Sequence, residues 1–151
     1  MAAVGRVAIR PLARGDLAAV VALDAEATGM PKAAYWERLF GAYAPAGANR
    51  HAFAAELDGA LIGYVLGEVR SWEFGSQPCG WVFAINVARR LQEAGIGTRL
   101  LEALCAAFRT DGVATVRTMV ARDATLLLSF FRAQGMTAGP FLELEMPLAD
   151  A

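Results

Sequence analysis

The chain has 151 residues, 56% of them hydrophobic, so it can bury a core and is not a disordered chain. Fourteen basic and fifteen acidic residues leave a net charge of −1, which argues against a nucleic-acid binder working by bulk charge. Cys79 and Cys105 form no CxxC and His51 is the only histidine, so neither a Cys/His zinc site nor a two-histidine catalyst is expected, and no metal. The longest apolar run near the N-terminus, Leu17 to Leu23, is too short to span a membrane. With no signal-peptide pattern ahead of it, a cytoplasmic protein is expected.

Val7 to Pro11 reads as a first strand stopped by its proline. Asp16 predicts the N-cap of a helix through about Ala27, phased by Leu17, Val20, Val21 and Asp24. A second helix starts near Pro31, carries Tyr35, Trp36, Leu39, Phe40 and Tyr43, and stops at Pro45-Ala46-Gly47. Its aromatic stripe suits ordinary core better than a substrate pocket. His51 to Leu57 and Ala60 to Val69 flank Asp58-Gly59, a strong hairpin signal. His51, opening the first of these strands, reads as a surface or packing residue. A loop from Ser71 to Gly80 follows.

The run from Trp81 to Phe108 organises the chain. Trp81, Phe83, Ile85 and Val87 alternate with Val82, Ala84 and Asn86, the pattern of a strand buried on both faces. Ile96, Leu100, Leu101, Leu104, Cys105 and Phe108 fall on one stripe of a long helix, with Cys105 a small hydrophobe on it. Between them stand Gln92, Glu93, Ala94, Gly95, Ile96, Gly97 and Thr98. A strand feeding a glycine turn and a helix start gathers unpaired N–H groups and the positive end of the helix dipole, so this turn predicts a phosphate cradle. It has no third glycine at Leu100 for a dinucleotide fingerprint, and no Gly-Lys-Ser/Thr of a Walker loop.

Asp111-Gly112 predicts the end of that helix. A strand is expected from Val113 to Ala121, then a short helix from Ala124 to Ala133 capped by Asp123, with Leu127, Phe130 and Phe131 facing inward. Gly135 ends it, and Phe141 to Met146 predict a last strand with Leu142, Leu144 and Met146 on one face. No repeat or linker interrupts the chain, so residues 1–151 read as one mixed α/β domain.

The spacing Gln92-x-x-Gly95-x-Gly97, a few residues after Ile85-Asn86-Val87, resembles the acetyl-CoA motif of the GNAT N-acetyltransferase superfamily. The opening Ile9-Arg10-Pro11-Leu12 and Gly15-Asp16-Leu17, and the closing Phe131 to Met136, are similar to that family's first and last segments. The resemblance runs from Ile9 to Leu148. It implies a twisted, mostly antiparallel sheet in which the central strand and the one after the long helix run parallel and splay apart. Coenzyme A would lie in that opening, its pantetheine pairing with Ile85 and Val87 and its pyrophosphate on the N–H groups from Gln92 to Thr98. Arg89 and Arg90 would assist at the phosphates or simply be solvated.

The reaction so implied is direct attack of a primary amine on the thioester of acetyl-CoA, with the Val87 N–H donating to the oxyanion. The acceptor is a protein α-amino group or a small amine. No carboxylate lies between Cys79 and Phe83, where relatives often keep a base; Glu68 and Glu73 are the nearest substitutes. Phe131 stands where the family's acid tyrosine would be and would line the cofactor channel. The short link from Met136 to Pro140 leaves either an open cleft or one completed by a second copy in a homodimer. Against the enzyme stands a non-catalytic acyl-CoA-binding module of the same fold.

Overall fold

A computed structural model of the chain describes residues 6–149. Residues up to Met119 form one compact unit and those from Val120 a second. The first unit holds a five-stranded sheet in the order β1-β2-β3-β4-β5. Its strands are β1 (Ala8–Pro11), β2 (Arg50–Leu57), β3 (Ala60–Arg70), β4 (Cys79–Val87) and β5 (Val116–Thr118). β1 to β4 pair antiparallel, while β4 and β5 run parallel. The helices of this unit are α1 (Leu17–Thr28), α2 (Ala33–Tyr43) and α3 (Ile96–Thr110). The sheet is mixed and mostly antiparallel, as the resemblance implied.

The elements form where residue spacing favours them. Asp58 and Gly59 both take positive φ, 52° and 81°, the backbone of a two-residue turn whose twist matches the strands it joins. In α2, Trp36, Phe40 and Tyr43 recur at helical spacing and are buried. With Val20 and Leu23 of α1 they cover Tyr64 and Leu66 on one face of the sheet. α3 packs on the other face through Ile96, Leu100, Leu101, Leu104 and Phe108. Cys105, expected on that stripe, sits at its margin and is only half-buried; what burial it has pushes its thiol pKa up.

α3 lies unusually close to the sheet because the strands beneath it carry glycines. A Cβ on Gly67 would come within 2.7 Å of the Trp81 carbonyl oxygen and 2.8 Å of Phe108 Cζ. A Cβ on Gly80 would come within 2.4 Å of Phe108 Cδ2. His51 Nε2 meets Asp111 Oδ2 at 2.6 Å and its ring stands edge-on to Phe108, joining β2 to the far end of the helix.

Several sequence expectations need correction. Asp16 precedes α1 but makes no side-chain cap to it. Its carboxylate turns back to accept from Ala13 N–H at 2.8 Å and from both Arg10 Nη atoms at 2.8 and 2.9 Å, because a bidentate guanidinium outbids one amide. The strand expected over Val113 to Ala121 shrinks to β5, since only three of its residues find partners on β4. In the second unit α4 (Thr125–Ala133) forms with Ala124, not Asp123, at its N-cap. On it Phe131 is buried, Phe130 half-buried and Leu127 exposed, because nine residues present only a narrow stripe. Phe141 to Met146 form no strand: alternation supplies a face but does not seat the segment on a sheet edge, and Leu142, Leu144 and Met146 are exposed.

Gly80→Ala is expected to destabilise the fold by about 1–3 kcal/mol through overpacking. Gly41→Ala, in the interior of α2 with nothing within 4 Å of the new methyl, should stabilise it by about 0.5–1 kcal/mol. Urea midpoints at unchanged m-value measure both. The Arg10 guanidinium holds the Asp16 carboxyl below its ordinary 3.8, outweighing the upward push of burial. A carboxyl depressed by folding contributes stability above its unfolded pKa and loses it as pH falls through the folded one. Asp16→Asn should therefore cost about 1–3 kcal/mol near pH 7. That gap should narrow steadily below about pH 4 in acid-titrated urea melts.

Candidate active site

The site begins with the way β4 leaves β5. The two pair only over Gly80–Val82 against Val116–Thr118. The pair closes with a side chain, Thr118 Oγ1 donating to the Val82 carbonyl at 2.8 Å. Beyond Val82, among the described residues, no strand runs along that side of β4. What faces the gap follows from strand geometry. Ala88 N–H donates across to Ile62 on β3 at 2.7 Å, so by alternation Asn86 and Ala84 also turn their peptide groups toward β3. Ile85 and Val87 turn theirs to the open side.

The phase of that alternation is set by a bulge. Gly67 pairs with Val82 and Leu66 with Ala84, leaving Phe83 as the extra residue. Before it, Gly80 N–H points to β5, donating to Thr115 at 2.9 Å; after it, the odd-numbered residues do. The bulge also carries the Asn86 side chain to the α1 face, where Nδ2 donates to the Leu23 carbonyl at 3.2 Å.

At the mouth of the gap a short helical turn, Arg89–Leu91, leads into residues 92–95 and α3. Gly95 takes φ 80° at the N-cap, a left-handed conformation that glycine adopts at little cost. The helical bond that closes on this turn runs from Arg99 N–H to the Gly95 carbonyl at 3.2 Å, so the N–H groups of Ile96 and Gly97 stand ahead of it. Gln92 Nε2 donates to the Val87 carbonyl at 3.1 Å and ties the turn to the end of β4. The structure thus brings Ile85, Val87 and the run Gln92, Glu93, Ala94, Gly95, Ile96, Gly97 and Thr98 to one end of one gap. An extended ligand with an anionic end fits such a gap: an open strand edge for its body, a glycine-opened helix start for its charge.

The two acids singled out from sequence lie elsewhere. Glu68 pairs with Trp81 across β3 and β4, five residues along β3 from Gly63, the partner of Val87; that is about 17 Å at strand rise. Its oxygens accept from Tyr43 OH at 3.0 Å and from Arg70 Nε at 3.1 Å. Burial and this bond push the Tyr43 pKa well above the ordinary tyrosine range. Glu73 sits 3.9 Å from the same Arg70 nitrogen, and Arg70 lies over the Trp81 ring. Phe131 belongs to the second unit, where it stacks edge-on with Phe130 at 5.3 Å.

Sequence reading missed a polar cluster on the α1 side of β4. Asp24 is buried and accepts from Trp36 Nε1 and from Lys32 Nζ, both at 3.0 Å. Beside it Asn86 Nδ2 reaches Tyr64 OH at 3.5 Å, and burial pushes the Tyr64 pKa up to about 12. The one available signal was an aspartate at a core-phased position of α1.

The profile of the Acetyltransferase (GNAT) family matches residues 17–136. The chain belongs to the GNAT family. The match runs through both compact units and includes β4, the glycine turn and α4. Among curated proteins none matches significantly. Solved structures similar to this GNAT chain include the aminoglycoside acetyltransferase AAC(6')-Iy in complex with a CoA-S-monomethyl-acetylneamine bisubstrate analogue. It has 16% identity and a TM-score of 0.81, over 95% of this chain and 99% of that one. AAC(6')-Ih from Acinetobacter baumannii has 16% identity and a TM-score of 0.78, over 95% and 99%. A transcriptional regulator from Bacillus halodurans C-125 has 17% identity and a TM-score of 0.77, over 94% and 100%. At such identities these likenesses speak for the fold. Family membership brings acetyl-CoA as cofactor. No helix among the described residues is long and apolar enough to cross a membrane.

Proposed function

We propose that this chain transfers the acetyl group of acetyl-CoA to a primary amine by direct attack. The observation that carries the reading is the open side of β4, with Ile85 and Val87 facing it and the glycine turn at its mouth. The pantetheine pairs with Ile85 and Val87 as an added strand. Of the run from Gln92 to Thr98, the pyrophosphate meets the N–H groups of Ile96 and Gly97, since those of Gln92 and Ala94 already donate to the Arg89 and Leu91 carbonyls. Bound so, acetyl-CoA supplies an activated thioester whose acyl end points from the mouth toward the vertex at Val82 and Thr118. Val87 N–H, and Ile85 N–H two residues nearer the vertex, are the donors preorganised for the oxyanion.

Side-chain acid–base chemistry contributes little in this reading. Glu68 is engaged by Tyr43 and Arg70, and acts on the amine only through water. At the position the family resemblance gives to an acid tyrosine stands Phe131, which has no proton to give; a thiol of ordinary pKa ~8.5 can leave unprotonated. Proximity and orientation then supply most of the rate. A small amine is favoured over a protein α-amino group, since the solved relatives include aminoglycoside acetyltransferases. A second reading, an acyl-CoA-binding module without turnover, draws on Phe131 and on the absence of a carboxylate along β4. Thiol release from acetyl-CoA across a panel of amines separates the two: release with any amine supports transfer, and tight cofactor binding without release supports the module.

Gly97→Val should abolish acetyl-CoA binding while the fold stays intact, because branched carbons would fill the approach to the helix start. Gly95→Val is the poorer test, since φ 80° strains any side chain there. Isothermal titration of the folded Gly97→Val variant decides; parent-like affinity would mean the cradle lies elsewhere.

Phe131→Tyr should give a modest gain in turnover, or none where chemistry is not limiting, with acetyl-CoA affinity unchanged. Phe131→Ala should cost about 3–5 kcal/mol of stability, because the ring is buried. Steady-state kinetics beside thermal melts read both variants. A large fall in turnover of a stably folded Phe131→Tyr would count against assigning this ring to the family's tyrosine position.

A further inference from the structure

Asp24 is a carboxyl group buried on the α1 side, where burial as a carboxylate is costly unless a cation is paired with it. Its Oδ2 accepts from Trp36 Nε1 and from Lys32 Nζ, each at 3.0 Å. The two partners differ in kind. Trp36 is fixed, buried edge-on between Tyr35 at 5.4 Å and Tyr64 at 5.2 Å. Lys32, the only lysine of the chain, reaches in on a flexible stem from the N-cap of α2. Its side chain is 36% exposed where that of Asp24 is 10%. The ammonium also lies 5.8 Å from the centre of the Tyr35 ring, within cation–π range. A buried carboxylate, an orienting indole N–H and an aromatic face make an ammonium box whose present occupant is held on a long, partly exposed stem.

The box adjoins the reacting strand. Leu23, next to Asp24 in α1, accepts at its carbonyl from Asn86, and Asn86 stands between the two residues whose peptide groups face the gap. We propose that Asp24 is an ammonium subsite for the acceptor, and that Lys32 occupies it as a tethered stand-in until a cationic acceptor displaces it. The exchange trades one ammonium for another, so the buried carboxylate keeps a partner before and after. The acceptor class follows: a compound with at least two primary amines, such as a polyamine or a multiply aminated sugar. One ammonium rests on Asp24 while a second, neutral amine attacks. The acceptor role rests on the amine-transfer reading above; the subsite itself does not.

The test uses the full chain with coenzyme A present and cadaverine as the probe, 1,5-pentanediol being the uncharged control. Lys32→Met keeps the stem and removes the competing charge. If Lys32 fills the box nine-tenths of the time, its loss should tighten cadaverine binding about tenfold by calorimetry. The diol should bind neither protein, and Lys32→Arg should behave as the parent. Asp24→Asn combined with Lys32→Met should erase the gain. Should Lys32→Met be poorly folded alone, cadaverine must raise its melting temperature more than the parent's. No gain and no rescue, or a gain that survives Asp24→Asn, overturns the subsite. Cadaverine binding through Asp24 without thiol release from acetyl-CoA would keep the subsite and remove the transfer reading. Thiol release with no Lys32→Met effect would do the reverse.

Discussion

Glycines on two neighbouring strands let α3 lie closer to the sheet than side chains would permit, and the geometry of the site follows from that closeness. Phe108 and Leu104 rest against the backbone at Gly67 and Gly80, and Leu100 against Gly63. With its body seated this low, the helix can begin only at the mouth of the gap beside β4, where Gln92 ties it to Val87. A methyl group beneath the helix would lift its axis, and the N–H groups at its start would move with it. Catalysis by orientation tolerates little such displacement, since an ångström at the reacting atoms is felt strongly. The glycines in the turn and those under the helix therefore do separate jobs, one turning the chain into α3 and the other fixing the height of the platform.

The strand, the glycine turn and the long helix were legible because they are local. A strand, two glycines and a helix stripe lie within a run of neighbouring residues, and each is governed by short-range spacing. The hairpin at Asp58-Gly59 was legible for the same reason. What failed needed a distant partner. Phe141 to Met146 alternate as a strand does, yet alternation says nothing about which edge will receive it. Val113 to Ala121 were read as a long strand, but only Val116–Thr118 meet β4. Asp16 looked like a helix cap until Arg10 claimed it. The bond between Asn86 and Leu23 joins residues that no periodicity connects, so the cluster around Asp24 had no sequence signature beyond one acid in a core phase.

The open side of β4 and the start of α3 present main chain more than side chains. Peptide groups of β4, and those at the start of α3, can hold a donor molecule whatever side chains surround them, provided glycine stands where the approach is close. That distribution of work is consistent with solved relatives at 16–17% identity keeping the same fold over nearly their whole length. On the α1 and α2 face side chains dominate instead: Trp36, Phe40 and Tyr43 fill the core, and Asp24 and Lys32 pair at its edge.

The bulge at Phe83 gives this division a further property. A strand has two phases and nothing between, so the one extra residue works as a parity bit. It decides at a single stroke that Ile85 and Val87 offer their peptide groups to the gap and that Asn86 offers its amide to α1. Substitutions along β4 can change what the side chains are, but not which way they point. Only gaining or losing one residue ahead of Ala84 reverses the phase, and it reverses both surfaces together. In sequence space the two surfaces of this strand are locked to one register: an even change of length ahead of Ala84 keeps both, and an odd one turns both over.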